Sequence, residues 1–321
     1  MAHEPVLAGP VVEFLVPSLE HGGVIVDATL GRGGHARRIL DAAPQAVLVG
    51  IDRDPQSLEE ARTSLAAYGR RVRLVHDDFA QLSTVLERLG VATVRGVLLD
   101  LGVSSPQLDE ADRGFSYRHD RPLDMRMDPY SSFSADDVVN FYDERKLAGV
   151  IRRYGEERFA ARIAGAIVAS RPVASTAVLA EVVRDAIPAA ARRTGGHPAR
   201  RTFQAIRIEV NDELGALEAV LPQSVDALEI GGRLAVISYH SLEDRTAKRF
   251  LVAEQSGCTC PPDFPVCACG AQARVRVLTR RPVRPSEREV ESNPRSSAAK
   301  LRVAERIGAD GASVPRLGRS A

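Results

Sequence analysis

The apolar positions of this chain fall into short blocks separated by stretches of helical spacing. Val24–Val26, Val47–Asp52, Val72–Val75 and Gly96–Asp100 are compact runs of mostly aliphatic residues, the composition of strands covered on both faces. Between them, Leu58, Ala61, Leu65 and Tyr68 line one face of a helix that Pro55 opens, and Phe79, Leu82, Leu86 and Leu89 line one face of another. Val11–Leu19 reads as a flanking helix, and His35–Leu40 as the start of a further one. Strands that alternate with helices predict a parallel sheet with helices on both faces, an α/β architecture.

The pattern changes at Leu101. The segment that follows is polar and turn-rich, and helices are predicted over Ala135–Tyr142, Glu144–Tyr154, Glu156–Ser170 and Thr176–Ala186. A helix over Phe203–Leu221 leads back to the sheet, with Pro222 opening a new turn. A fifth strand follows the glycine pair at Gly231–Ser238, and Val275–Thr279 and Lys300–Glu305 supply the last strands. The expected organisation is a core of residues 1–106 and 204–309, a helical insert of 107–203 that selects the substrate, and a disordered tail of 310–321.

Candidate chemistry sits where the first strand runs into Gly31, Gly33 and Gly34. Such a turn, followed by a helix start, makes a cradle for a nucleotide-type ligand. The glycines depart from the G-x-G-x-x-G of dinucleotide folds, and Asp27 lies just before them. A carboxylate there favours a ligand with a positive centre over a pyrophosphate. Asp52 closes the next strand, about 20 residues on, where an acid can accept both hydroxyls of a ribose. S-adenosylmethionine, with its sulfonium, ammonium and ribose, satisfies both acids. Asp78 and Asp100 also fall at strand ends, and ligands of open α/β sheets bind at that edge. An ordinary βαβ unit without a ligand accounts for the glycines alone, but not for four successive acids.

The loop Asp100–Gln107 stands where a Rossmann-like methyltransferase keeps its reacting centre. Ser105-Pro106 resembles the first half of the [DNS]-P-P-[YFW] signature of enzymes that methylate exocyclic amines of bases, while Gln107-Leu108 replaces the second half. An exocyclic amine is a poor nucleophile, because its lone pair is delocalised into the ring. Acceptors such as the Ser105 hydroxyl and a carbonyl near Pro106 would take its N–H bonds as the nitrogen pyramidalises. Methylation at cytosine C5 would want a cysteine here, and there is none.

Taken together, DATLGRGGH, IDRDP, LLDLGVSSPQLD, RGFS, PLDMRMD, YGEERFA, TFQAIRI and SYHSLEDR resemble the ribosomal small-subunit RNA (cytosine-N4)-methyltransferase family, RsmH or MraW, from His3 to about Ile307. The resemblance implies a Rossmann-like class I S-adenosylmethionine-dependent methyltransferase sheet with an inserted helical domain. It implies cofactor contacts at Gly33, Gly34, His35, Asp52, Phe79, Asp100 and Gln107. It implies methyl transfer to N4 of a decoding-centre cytidine, with 16S rRNA in or near the small ribosomal subunit as partner. A small-molecule or protein methyltransferase, or a cofactor-binding module without turnover, are the competing readings.

Charge and cysteines alter this picture only locally. The formal net charge of +1 makes any RNA affinity depend on local clusters. One is the strip from Arg192 to Arg207, which has no acid and can bind phosphates. The alternative is arginines paired with Glu156, Glu157 or Glu209. Asp124-Met125-Arg126-Met127-Asp128 reads as an internal ion-pair network. His240, after the fifth strand, is a candidate to line the cytosine pocket; without a G-x-S-x-G elbow, His240-Ser241 does not read as a hydrolase. Cys258, Cys260, Cys267 and Cys269 could bind zinc, but their C-x-C spacing is tighter than usual and prolines stiffen the loop, so no metal is expected. No secretory signal or membrane span is legible, and a cytoplasmic protein is expected.

Overall fold

The computed structural model describes residues 4–102, 113–192, 196–257 and 272–308. Among the described residues seven strands form one sheet: β1 (Gly23–Asp27), β2 (Ala46–Asp52), β3 (Val72–His76), β4 (Val94–Asp100), β5 (Leu228–Ser238), β6 (Val275–Val277) and β7 (Lys300–Arg306). Their order is β3-β2-β1-β4-β5-β7-β6. The first five pair in parallel, and β7 joins β5 and β6 antiparallel. The strand order reverses between β1 and β4, which opens a crevice at their carboxyl ends.

The helices follow from the spacing of apolar residues and from their caps. They are α1 (Ala8–Leu15), α2 (Gly34–Ala42), α3 (Pro55–Ser64), α4 (Leu82–Arg88), α5 (Glu144–Gly155), α6 (Ala160–Ala169), α7 (Thr176–Ala186), α8 (Ala189–Arg192), α9 (Arg200–Asn211), α10 (Glu213–Ala227), α11 (Ser241–Ser256) and α12 (Glu287–Ser292). Asp54 caps α3 by accepting the Gln56 amide, and Ser175 caps α7 by accepting that of Val178. Among the described residues no helix is long and apolar enough to cross a membrane.

The chain divides into two compact units, Met1–Gly102 with Leu214–Ala321, and Val103–Glu213. In the first, two apolar layers cover the sheet. One includes Leu15, Ile39, Leu48 and Leu98; the other includes Val26, Leu99, Leu217 and Leu234. The second unit has its own core of Met125, Leu147, Ile163, Leu179 and Ile206.

Several elements differ from the sequence reading. The flanking helix begins at Ala8 and tightens to a 3₁₀ turn at Val16–Leu19, where Pro17 removes a helical donor. The helix expected over Ala135–Tyr142 is a π-helical turn at Asp137–Phe141. The Arg171 guanidinium holds its end by donating to the carbonyls of Val139 and Tyr142. The helix expected over Phe203–Leu221 breaks at Asp212, which is left-handed with φ 46°. Pro222 lies inside α10 rather than opening a turn. There Leu217, Val220, Leu221 and Val225 are buried against the sheet, and that burial offsets the lost hydrogen bond. Accordingly α9 packs within the second unit, and the first unit resumes at Leu214.

Candidate active site

The site is built where β1, β2 and β4 end. The buried Asp27 accepts the Thr29 amide at 3.3 Å. The Thr29 hydroxyl in turn accepts the Asp100 amide at 2.6 Å, tying the end of β1 to the end of β4. Asp52 has one carboxylate oxygen on the Gly31 amide at 2.7 Å and the other on the Asp54 amide at 2.8 Å. Each oxygen keeps a second lone pair for a ligand hydroxyl. Burial pushes Asp52 above its ordinary value even though those two amides pull it down.

The glycines serve different purposes. Gly31 (φ +52°) would carry a Cβ into open space, so its backbone faces a free volume. Gly33 (φ +77°) sits against Leu65, whose side chain a Cβ would meet at 2.9 Å, and Gly34 sits against Pro5. These two therefore let the turn pack on its own protein while Gly31 keeps the mouth open.

His35, in the first turn of α2, is buried, with Nε2 3.4 Å from Asp100 Oδ2. That separation suits an ion pair but lacks hydrogen-bond geometry, and neither ring nitrogen has a hydrogen-bond partner among the described residues. Burial opposes a charge on the ring, but Asp100 and Asp27 outweigh it and hold His35 above its ordinary value. Asp27 is pushed up to about 7, by burial first; His35 lowers it, and Asp100 and Asp52 raise it again. Asp27 and His35 thus titrate as a coupled pair at this edge.

Tyr239, which the sequence reading missed, donates its hydroxyl to Asp100 Oδ1 at 2.9 Å. Burial and the Asp100 charge push the phenol well above its ordinary range, so it stays a donor. Its position directly after β5 was the available signal, since the end of any central strand of such a sheet reaches this edge. The Tyr239 and His240 amides both donate to Glu243 Oε2, at 2.7 and 3.1 Å. His240 is the N-cap of α11, with Nδ1 accepting the Glu243 amide. The structure therefore gives His240 a capping task, which spacing did not reveal.

Phe79 opens a 3₁₀ turn and is half-buried, with the Arg53 guanidinium 5.7 Å from its ring centre. Asp78 caps that turn by accepting the Ala80 amide, and it lies 3.5 Å from Arg53. Ser105, Pro106, Gln107 and all four cysteines lie outside the described residues. Asp124 and Arg126 form a two-pronged pair at 2.9 and 2.7 Å, which holds Asp124 below its ordinary value despite partial burial. This matches the internal-network reading of that segment.

The donor set fits S-adenosylmethionine: an anionic edge for its cationic groups, spare lone pairs on Asp52 for its ribose, and unpartnered polar atoms on the buried His35. A doubly wound sheet in this strand order, with such an edge at its switch point, defines a Rossmann-like class I S-adenosylmethionine-dependent methyltransferase. The sequence profile of the MraW methylase family matches residues 1–307. The chain is 53% identical over 310 residues to Ribosomal RNA small subunit methyltransferase H of Heliobacterium mobile, covering 95% of this chain and 99% of that one. It is 54% identical over 309 residues to the protein of the same name from Thermobifida fusca, covering 95% and 93%. The chain belongs to the MraW methylase family.

Proposed function

We propose that this chain transfers a methyl group from S-adenosylmethionine to N4 of a decoding-centre cytidine in 16S rRNA. It does so in the cytoplasm, on RNA in or near the small ribosomal subunit. The observation that carries the reading is the strand-end edge itself, where Asp27, His35, Asp52 and Asp100 meet around the mouth kept open by Gly31. The names of the relatives supply the substrate, ribosomal RNA of the small subunit.

We assign cofactor contacts to Gly33, Gly34, His35, Asp52, Phe79, Asp100 and Gln107. When bound, the cofactor supplies an electrophilic methyl on a sulfonium. The chain's own contribution is placement and charge. Asp52 takes the ribose hydroxyls, and its carboxylate is preorganised by two backbone amides. Asp27 and Asp100 offset the ligand's positive charge, and Tyr239 and Thr29 hold Asp100 in place. Ser105 and the carbonyl of Pro106 accept the N–H bonds of the target amine, and the insert 107–203 selects the RNA. The target base has to leave any stack to reach the methyl group. His240 belongs to the substrate side only through the turn it caps.

Incubating the chain with tritiated S-adenosylmethionine and small subunits that lack the modification, followed by nucleoside digestion, tests this. Label is expected in N4-methylcytidine. Label in another nucleoside, in protein, or nowhere would overturn the assignment.

A further inference from the structure

A second place in the molecule combines features that the strand-end site does not use. In the second unit, Tyr117 and His197 stack with ring centres 4.2 Å apart and planes 11° from parallel. Phe203, buried in that unit's core, meets Tyr117 edge-on at 5.7 Å and 85°. The pair is thus anchored from below, while His197 is exposed. Its Nδ1 accepts the Ala199 amide at 3.2 Å, which fixes the ring and leaves the proton of the neutral form on Nε2. Burial against its neighbours, and then the charges of Arg118 and Arg184, hold His197 below its ordinary value. The ring is therefore an uncharged flat surface beside cations at neutral pH.

The surrounding arginines differ in how far they are already engaged. Arg192 donates to the carbonyls of Ile187 and Asp185. Arg201 donates to the Glu156 carbonyl and lies 3.8 Å from Glu157. Arg207 makes a two-pronged pair with Glu213 at 2.7 and 2.8 Å. Arg184 pairs with Asp185. By contrast, the exposed side chains of Arg118 and Arg200 have no ion pair among the described residues. Arg118 follows Tyr117 directly, and the Arg200 amide donates to the His197 carbonyl at 3.0 Å. Arg118 lies close enough for its charge to act on the His197 ring, whereas Arg200 is placed only by the backbone turn that carries that ring. Arg192, Arg201 and Arg207 of the basic strip are already engaged by partners in the fold.

We propose that the Tyr117–His197 stack, with Arg118, binds one unpaired nucleotide of single-stranded RNA. The base continues the stack on His197, and a neighbouring phosphate lies on the Arg118 guanidinium. A paired base would have its faces covered by its neighbours, so the site takes an unstacked one. A preformed aromatic pair beside an available cation is the chemistry that suits base and phosphate together. The proposal rests on the rRNA reading above and adds where the RNA outside the target cytidine is held.

Fluorescence anisotropy with a fluorescein-labelled single-stranded RNA of about twelve mixed nucleotides tests it on the full chain. His197→Ala is expected to bind about ten-fold more weakly, the loss of one base stack, while His197→Phe stays within about two-fold of wild type. Arg118→Gln is expected to shallow the slope of log affinity against log salt by about 0.7, one single-strand phosphate contact. In methyl transfer, His197→Ala should raise KM for the RNA and leave kcat unchanged, as for a contact made equally before and during reaction. Thermal melts confirm that each variant is folded. Wild-type affinity in His197→Ala, an equal loss in His197→Phe, or no binding by the wild type would overturn the site. If the wild-type chain puts no methyl on rRNA, the rRNA reading fails instead, and the anisotropy series still decides the platform.

Discussion

Asp27 is the residue whose environment most alters its chemistry. Its position after β1 is legible as the end of a short apolar run, but its proton affinity is not. That affinity depends on burial and on neighbours from three strands and a helix, held from about 3.8 in the open chain to about 7 here. The folded chain therefore keeps a proton that the unfolded chain releases. Stability carried by that proton is fully present below about pH 4 and is lost as pH rises towards about 7. His35, also raised, works in the same direction through its own higher value. Urea unfolding of the ligand-free chain should thus show a fall in stability between about pH 4 and about pH 7 that Asp27→Asn diminishes. Equal slopes for variant and wild type would contradict the raised proton affinity of Asp27 at this edge. Tyr239 and Thr29 make the same point about legibility. Each is an ordinary residue in the sequence, and only the meeting of β1, β4 and β5 places it on Asp100.

At the scale of elements, local pattern was a good guide where one face of an element is buried and a poor one where tertiary contacts override propensity. The four parallel strands and the helices between them stand close to where apolar spacing puts them. The π-helical turn does not, because the arginine that holds its end comes from residue 171, distant in sequence. Pro222 does not either, because burial of its neighbours keeps α10 continuous. The β5–β7 pair contains a further feature that spacing hides. Arg233 and Glu305 are both buried and lie 3.1 Å apart, with Arg276 also donating to Glu305 at 2.7 Å. Removing one partner leaves a charge without compensation in the sheet. Glu305→Ala should destabilise the chain by about 3–5 kcal/mol in chemical denaturation. Arg233→Met with Glu305→Met should cost clearly less than that. A double variant as unstable as the single one would deny the coupling.

For the whole molecule, the pattern of the sequence changes at Leu101, and the chain forms two units with separate apolar cores. The re-entry point was harder, since α9 and α10 form one continuous apolar pattern and differ only in which core they bury against. Charge behaves similarly. The net +1 gives no general attraction for nucleic acid, and Arg192, Arg201 and Arg207 are already engaged by partners in the fold. Affinity for single-stranded RNA should therefore rest on few phosphates, with a salt slope no steeper than about −4 at about 0.7 per contact. A slope well beyond that in anisotropy titrations would show that the arginines already engaged within the protein bind RNA after all.

The sequence by itself determined the alternation of strands and helices, the glycine turn and the acids at the strand ends. Those depend on the period of apolar residues and on backbone sterics, which act within a few residues. The tertiary structure alone decided that Gly31 faces open space while Gly33 and Gly34 pack on Leu65 and Pro5. It also decided that His240 caps a helix and that burial and their neighbours hold both Asp27 and His35 above their ordinary values. Burial, ion pairing and proton affinity are set by groups far apart in the chain, and only the closed fold brings them within each other's reach.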